Sequence, residues 1–381
     1  MSRVNAQWLP RASAPVIGFA TLLAMLGANV AQGTPRLDRL RLPPGFSIAI
    51  YAEGVSNARQ LALAPDGVLY VGSRREGKVH AVVDADGDHR AEQVYVLARD
   101  LFMPSGGAYR DGSLYVAEVN RILRYDDIAA RLDDPPRPQI VTADLPDETH
   151  HGWKFIAFGP DGRLHVPVGA PCNVCAPPAP FASILSMGAD GEDVRTVARG
   201  VRNSVGFDWH PDTGELWFSD NGRDWLGDDR PPGEVNRVRE PGQHFGFPYV
   251  HGGDIPDPEF GAGHAPADYA APALRLGAHV APLGIEFYRG DAFPAEYRGA
   301  LFVAEHGSWN RSEKAGYRVM VARFAADGTV ASYTPFIEGW LQGAAYWGRP
   351  VDVETMADGS LLVADDHAGV VYRVTWERPE P

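Results

Sequence analysis

Residues 150–169 read HHGWKFIAFGPDGRLHVPVG: a histidine pair, an apolar run, a Gly-Pro-Asp-Gly turn, and a second short run of Leu, His and Val. Gly accepts the positive φ of a tight hairpin and Asp can hydrogen-bond its own backbone, so the two runs are predicted to pair as antiparallel strands. The same unit recurs as LALAPDGVLYV at 61–71, GAYRDGSLYVA at 107–117, FDWHPDTGELWF at 207–218 and VETMADGSLLV at 353–363. A looser copy, IEFYRGDAFPAEYRGALFV, covers 285–303. The histidine pair precedes one copy alone.

The turn glycines Gly67, Gly112, Gly162, Gly214, Gly299 and Gly359 are separated by 45, 50, 52, 85 and 60 residues. The first three intervals each suit one four-stranded propeller blade. The excess in the 85-residue interval lies mainly at 245–281, where Gly, Pro and Ala dominate and no alternating run survives. That predicts a long surface insertion rather than a seventh blade. FSIAIYAEGV at 46–55 lacks a turn unit of its own, while VVYRVTW at 370–376 ends the last copy. Pairing the N-terminal strand into the final blade closes the ring and removes an exposed edge. The expectation is an all-β, six-bladed β-propeller of four-stranded antiparallel blades, one domain over residues 34–381. No Ser/Gly linker divides the repeats, the 42 Gly and 32 Pro accord with a turn-rich ring, and helix is expected only in short pieces such as 126–132.

Arg3 and Arg11 precede the apolar run 14–28, with small residues at Ala31 and Gly33, the pattern of a secretory signal peptide over 1–33 cleaved near 28–33. The alternative is an uncleaved anchor, for which the run is short of the ~20 residues of a span. A periplasmic or secreted protein, without stable membrane insertion after processing, is expected. Without those residues the net charge of −14 becomes −16, which argues against nucleic acid or anionic membrane as a bulk partner. Cys172 and Cys175, in GAPCNVCAP, are the only cysteines. No second zinc half-site or CxxCH haem pattern accompanies them, so in an oxidising compartment they are expected to form a local disulfide.

In a propeller, residues just before each innermost strand face a shared cavity at one end of the channel. His150 and His151 hold that place before WKFIAF, Arg202 and Asn203 before SVGFDW, Arg349 before PVDVET, and Arg59 and Gln60 before LALAPDG. Converging guanidinium groups in an acidic chain imply an anionic ligand, because their forks match carboxylates bidentately. A histidine among them can act as general base.

With these residues the chain resembles the soluble glucose/sorbosone dehydrogenase family, six-bladed quinoproteins that use pyrroloquinoline quinone. The likeness runs from about Pro43 to Trp376 and is carried by HHGWKFIAFGPDG, GAPCNVC, GVRN, EHGSWNR and GRPVDV; it is greatest for the L-sorbosone dehydrogenase-like branch. The resemblance implies His151 as the base that takes a proton from a sugar hydroxyl while hydride passes to the quinone, with His150 as second candidate. It implies cofactor contacts at Arg202, Asn203 and Arg349, with Lys314 in the matching blade; Gln60 and His306 complete the expected set, and Trp309 could wall a sugar pocket. It implies Ca²⁺ at the SDNGRD loop, with Asn221, Gly222 and Arg223 as the metal candidates. Gly233, where relatives carry an acidic residue, and the positive Arg223 depart from that pattern. The implied partners are a small sugar substrate and an external electron acceptor, a quinone or cytochrome c.

Other clusters read as structure. DADGDHRAE at 84–92 spaces Asp84, Asp86 and Asp88 like a calcium loop, but His89 replaces the required Gly and Tyr95 the closing Glu, leaving a solvated turn. Asp365, Asp366 and His367 read as a strand-end turn, and His80, His165 and His210 as blade residues. The competing functional readings are a six-bladed metal-dependent lactonase or similar hydrolase, and a non-catalytic binding propeller.

Overall fold

The computed structural model describes residues 35–378, so the signal-peptide segment lies outside the described residues. Six four-stranded antiparallel units form around one ring, and the third carries a fifth strand of two residues, Gln243–His244, that pairs in parallel with Arg195–Arg199. Blade 1 comprises Ala58–Leu63, Leu69–Ser73, Val79–Val83 and Gln93–Ala98; blade 2, Gly106–Arg110, Ser113–Ala117, Ile122–Tyr125 and Gln139–Thr142. Blade 3 comprises Ala157–Phe158, Leu164–Val168, Ser183–Met187 and Arg195–Arg199; blade 4, Phe207–Trp209, Leu216–Asp220, Pro232–Arg237 and Leu274–Ala278. Blade 5 comprises Pro282–Phe287, Leu301–Glu305, Arg318–Phe324 and Val330–Ile337. Blade 6 is built from both ends of the chain: Pro350–Thr355, Leu361–Asp365 and Val370–Trp376, completed by Phe46–Glu53. That last strand runs antiparallel to Val370–Trp376, from Phe46 opposite Trp376 to Glu53 opposite Val370, so the ring closes as expected.

The turn glycines explain the repeat. All six named above have φ between +67° and +89°, a region open to Gly at little cost. At Gly67, Gly112, Gly214 and Gly299 an added Cβ would meet nothing within 4 Å, so backbone conformation alone selects the residue.

The second strands read as unbroken apolar runs because both faces are covered. In blade 6, Leu361 and Val363 pack toward Phe302, Val319 and Phe336 of blade 5, while Leu362 and Ala364 pack toward Leu69 and Val71 of blade 1. Each such fully buried aliphatic or aromatic side chain contributes roughly 1.5–3 kcal/mol. The core is therefore a set of wedges between blades, and the channel-facing inner strands are free to carry polar groups.

The segment 245–281 corrects one expectation. Val250–His251 and Ile255–Pro256 form a small hairpin and Pro266–Asp268 a 3-10 turn, but Leu274–Ala278 is the outermost strand of blade 4, pairing with Pro232–Arg237. Its alternation is confined to Leu274 and Leu276, since an outer strand is half-exposed and Arg275 points to solvent. Among the described residues no helix is long and apolar enough to cross a membrane.

Candidate active site

Aligning the second strands of the six blades brings LYVGSR, LYVAEV, LHVPVG, LWFSDN, LFVAEH and LLVADD into register. The fifth position is a buried acid in four blades: Glu118, Asp220, Glu305 and Asp365. Three of these fix loops at one end of the channel. Asp220 accepts the backbone N–H groups of Arg202 (2.9 Å) and Asn203 (2.6 Å), Asp365 that of Arg349 (2.9 Å), and Glu118 that of Phe102 (2.5 Å). Burial, reinforced for Asp220 by Glu234, pushes Asp220 and Asp365 each up to about 7. These carboxylates position the site residues without entering the cavity.

The sixth position faces inward, where Arg74, Asn221 and His306 line a cavity of about 510 Å³. Of the sequence-predicted residues, His151, Arg202, Asn203, Arg349, Lys314, His306, Asn221 and Gly222 line it; His150, Gln60 and Arg223 do not. Gln60 points the other way: its amide bonds the carbonyl of Ile156 (2.7 Å) and the N–H groups of Ile156 and Gly107, tying blade 1 to blade 2 and to the entry of blade 3. Arg59, one residue earlier, is the cavity residue of that pair, as neighbours on an extended segment face opposite ways.

His151 is 8% exposed, whereas His150 is exposed and lies edge-on to it, with ring centroids 4.2 Å apart. His151 Nδ1 lies 2.8 Å from the Ala170 carbonyl, which fixes the proton on Nδ1 and leaves Nε2 as an acceptor. Burial, together with the charge of Arg202, holds its pKa well below the usual imidazole value, so it is neutral at physiological pH. The backbone that sets this orientation is left-handed (φ 53°), and it sits against Gly169, where an added Cβ would come within 2.6 Å of His151 Cβ and 2.8 Å of its carbonyl oxygen. Gly169→Ala should therefore displace the imidazole, costing about 1–3 kcal/mol of stability and activity with it. An unchanged unfolding midpoint and turnover would show that the contact is slack.

Opposite His151 is a cationic cluster around one carboxylate. Asp366, 7% exposed, takes Arg59 Nη1 (3.2 Å), Arg349 Nε (2.9 Å) and His306 Nε2 (3.1 Å to each oxygen). Burial alone would raise its pKa, but the three partners outweigh burial and hold it well below the carboxylate range. Asp366 is thus an ion-pair hub, not the simple turn residue expected from ADDHAG. Arg74 has no such partner: its guanidinium stacks 3.6 Å over Trp153, its Nε is buried without a hydrogen bond, and burial beside Arg59 and Arg75 lowers it to about 9. Six cations, Arg59, Arg74, Arg75, Arg202, Arg349 and Lys314, line the cavity, against Asp224 as lining carboxylate.

Cys172 and Cys175 form the expected disulfide, and the loop it closes bears on the site. Asn173 between them accepts Arg202 Nε at its carbonyl (2.8 Å) and Arg202 Nη2 at its side chain (2.9 Å); the latter oxygen also accepts the Asp224 N–H (2.8 Å). Arg202 further donates to the Asn221 carbonyl (3.0 Å) and pairs with Asp224 (3.3 Å). Beside it, Asn203 lines the cavity, and its Oδ1 is buried without a hydrogen-bond partner.

The expected metal loop fits less well. Asn221 Nδ2 is spent on the carbonyls of Asn203 (2.9 Å) and Pro282 (3.0 Å), and Arg223 turns away into an ion pair with the buried Asp257. Among the described residues, three or more His, Cys, Asp or Glu side chains within ligating distance of one another occur only at Asp84, Asp86, Asp88 and Glu92, on the surface. Their oxygens are already engaged by the loop's own N–H groups.

Residues 262–377 match the TrAA12-like family model. Over 354 residues, 89% of this chain and 91% of its relative, the sequence is 37% identical to an uncharacterized protein of Borreliella burgdorferi. A 125-residue stretch is 32% identical to a pyrroloquinoline quinone-dependent pyranose dehydrogenase of Coprinopsis cinerea, spanning 28% of this chain and 16% of that enzyme. The fold superimposes on the quinone-binding domain of the Coprinopsis cinerea pyranose dehydrogenase in its holo form, with a TM-score of 0.74, 20% identity, and coverage of 90% of this chain and 98% of that domain. It also superimposes on the quinone-bound aldose sugar dehydrogenase of Streptomyces coelicolor, with a TM-score of 0.63, 20% identity, and coverage of 88% and 100%.

Proposed function

The chain belongs to the soluble glucose dehydrogenase family, and from that premise we propose that it is a pyrroloquinoline quinone-dependent dehydrogenase of the L-sorbosone-dehydrogenase-like branch. Its substrate on this reading is an aldose or sorbosone-like sugar, and it passes electrons to an external quinone or cytochrome c. The observation that carries the reading is Arg74, a half-buried guanidinium whose Nε is shielded and unpartnered, in one cavity with Arg59 and Arg349. Arg59 and Arg349 share Asp366 and Arg202 has Asp224, whereas Arg74 has no counter-charge of its own among the described residues; a shielded, uncompensated cation is costly, and an anionic ligand in the cavity offsets that cost. A planar tricarboxylate suits the guanidinium forks, and Asn203 Oδ1 supplies the acceptor that a ligand N–H or a cation would satisfy.

When bound, the quinone supplies the two-electron acceptor. The chain's own residues supply the rest: Nε2 of His151 takes the proton of the sugar hydroxyl, with Nδ1 held by Ala170. Arg59 and Arg349, fixed by Asp366, and Lys314 orient the anion and stabilise negative charge as it develops. Arg202 and Asn203 complete that wall. A Ca²⁺ would find only backbone carbonyls of the Asn221–Gly222 loop to hold it, since the Asn221 amide is engaged, its carbonyl already accepts from Arg202 and Arg223 pairs with Asp257; as a hard cation it would supply charge compensation for a bound anion. The cavity offers a metal-dependent lactonase no comparable set of ligating side chains among the described residues.

Adding pyrroloquinoline quinone and Ca²⁺ to purified apo-protein should give sugar-dependent reduction of an artificial dye. Arg74→Ala should weaken quinone binding about 10- to 100-fold, the range for a lost hydrogen bond to a charged group. No quinone binding, or lactone hydrolysis without quinone, overturns the reading.

A further inference from the structure

Five large apolar side chains among the described residues are exposed: Phe102, Ile140, Val194, Trp225 and Trp309. Ile140 sits on an outer blade strand and Val194 beside one, but the three aromatic residues all lie on loops at the cavity end. Trp225 and Trp309 are 66% and 69% exposed and meet edge to face, ring centroids 5.5 Å apart and planes at 85°. An exposed aromatic patch of this kind marks a binding surface, and it is continuous with the site, because Trp309 lines the cavity.

The pair is held rigidly by polar contacts between its two loops. Asn310 donates to Asp224 (3.3 Å), the Ser312 N–H to Asp228 (3.0 Å), and Arg311 pairs with Asp229 (3.1 Å). His279 Nε2 lies 2.8 Å from the Gly227 carbonyl. Trp225 takes a left-handed φ of 71°, which such bracing sustains. The rim thus combines two indole faces with carboxylates that accept hydroxyl donors.

We propose that Trp225 and Trp309 form a stacking subsite for the second ring of an oligosaccharide whose terminal sugar occupies the cavity, so that the physiological substrate is a chain end rather than a free monosaccharide. The apolar face of a pyranose matches an indole face, and its hydroxyls match the carboxylates of Asp224 and Asp228. An electron acceptor is the less fitting occupant, since Trp309 reaches into the volume that holds the substrate itself. The inference rests on the sugar-oxidising reading for the direction of the chain, but its binding arm needs no turnover.

Calorimetric titration of the full-length apo-protein with glucose and with α- and β-linked glucan tetrasaccharides tests it. At least one tetrasaccharide should bind about tenfold or more tighter than glucose, a preference that Trp309→Ala and the Trp225→Ala/Trp309→Ala pair should abolish and Trp309→Phe largely restore. The subsite is refuted if no tetrasaccharide outbinds glucose, if the preference survives the double substitution, or if the double substitution changes only the KM for dye or cytochrome c, which assigns the patch to the acceptor. Preferential binding without dye reduction would leave the subsite standing and count against the dehydrogenase reading instead.

Discussion

Replacing His151 by Ala is expected to lower kcat for sugar oxidation by about 10²–10⁴-fold while quinone binding persists, the usual scale for loss of a general base. The anion wall, Arg59, Arg74, Arg202 and Arg349, does not depend on the imidazole for its contacts, which is why binding and turnover should separate. The pH profile adds a second readout. Burial beside Arg202 depresses the His151 pKa, so the base is in its active neutral form well below the ordinary value of about 6.5. The acid limb of kcat/KM should fall below that pH and vanish in the Ala variant. An acid limb at or above about 6.5 in the wild type assigns the base to neither histidine, since burial lowers His150 as well; a depressed acid limb that survives in the Ala variant assigns it to His150, whose ring touches that of His151.

Asp366→Asn should have the largest effect on stability. The substitution leaves Arg59 and Arg349 buried or half-buried without their shared counter-charge, and removing one partner of such a group costs about 3–5 kcal/mol, a large part of a typical domain's stability. The sign with pH follows from the depressed pKa of Asp366. Its ion pairs are fully present above the unfolded value of about 4 and are lost as pH falls through the lower folded value. The deficit of the Asn variant, read from urea midpoints, should therefore be greatest near neutrality and shrink in acid. A constant deficit, or none, would mean that the three cations do not depend on this carboxylate.

The ring was legible in the sequence because each hairpin needs a residue with positive φ between two apolar runs, and that combination repeats visibly. Outer strands such as Leu274–Ala278 were not legible: half-exposed, they carry only two apolar residues in phase. The inner-strand loops pointed to His151, Arg202, Asn203 and Arg349, because one position per blade faces the channel end. Arg74 and Asp366 lie on the other strand that reaches that end, and aligning the second strands to their sixth position would have shown them. Gln60 and Arg223 were placed wrongly toward the cavity for a simpler reason: sequence does not set the phase of neighbouring side chains, and in both places another residue points inward. The disulfide was expected as a loop brace, but not that the loop holds Arg202 through Asn173, a contact between segments far apart in the chain.

The closure of blade 6 has a consequence for how the molecule is made. Phe46–Glu53 is the first strand of the ring to be synthesised, and its partner Val370–Trp376 is the last, almost the whole described chain later. Until the final residues appear, the early strand has an unpaired edge and Phe46 lacks the aromatic neighbours Phe293, Tyr297 and Phe336 that later surround it. A long wait in that state makes this segment the chain's main point of exposure to mispairing with another copy. The mature protein is thus protected at the very place where its nascent form is most vulnerable, and damage to the last ten or so residues would be felt first at its beginning.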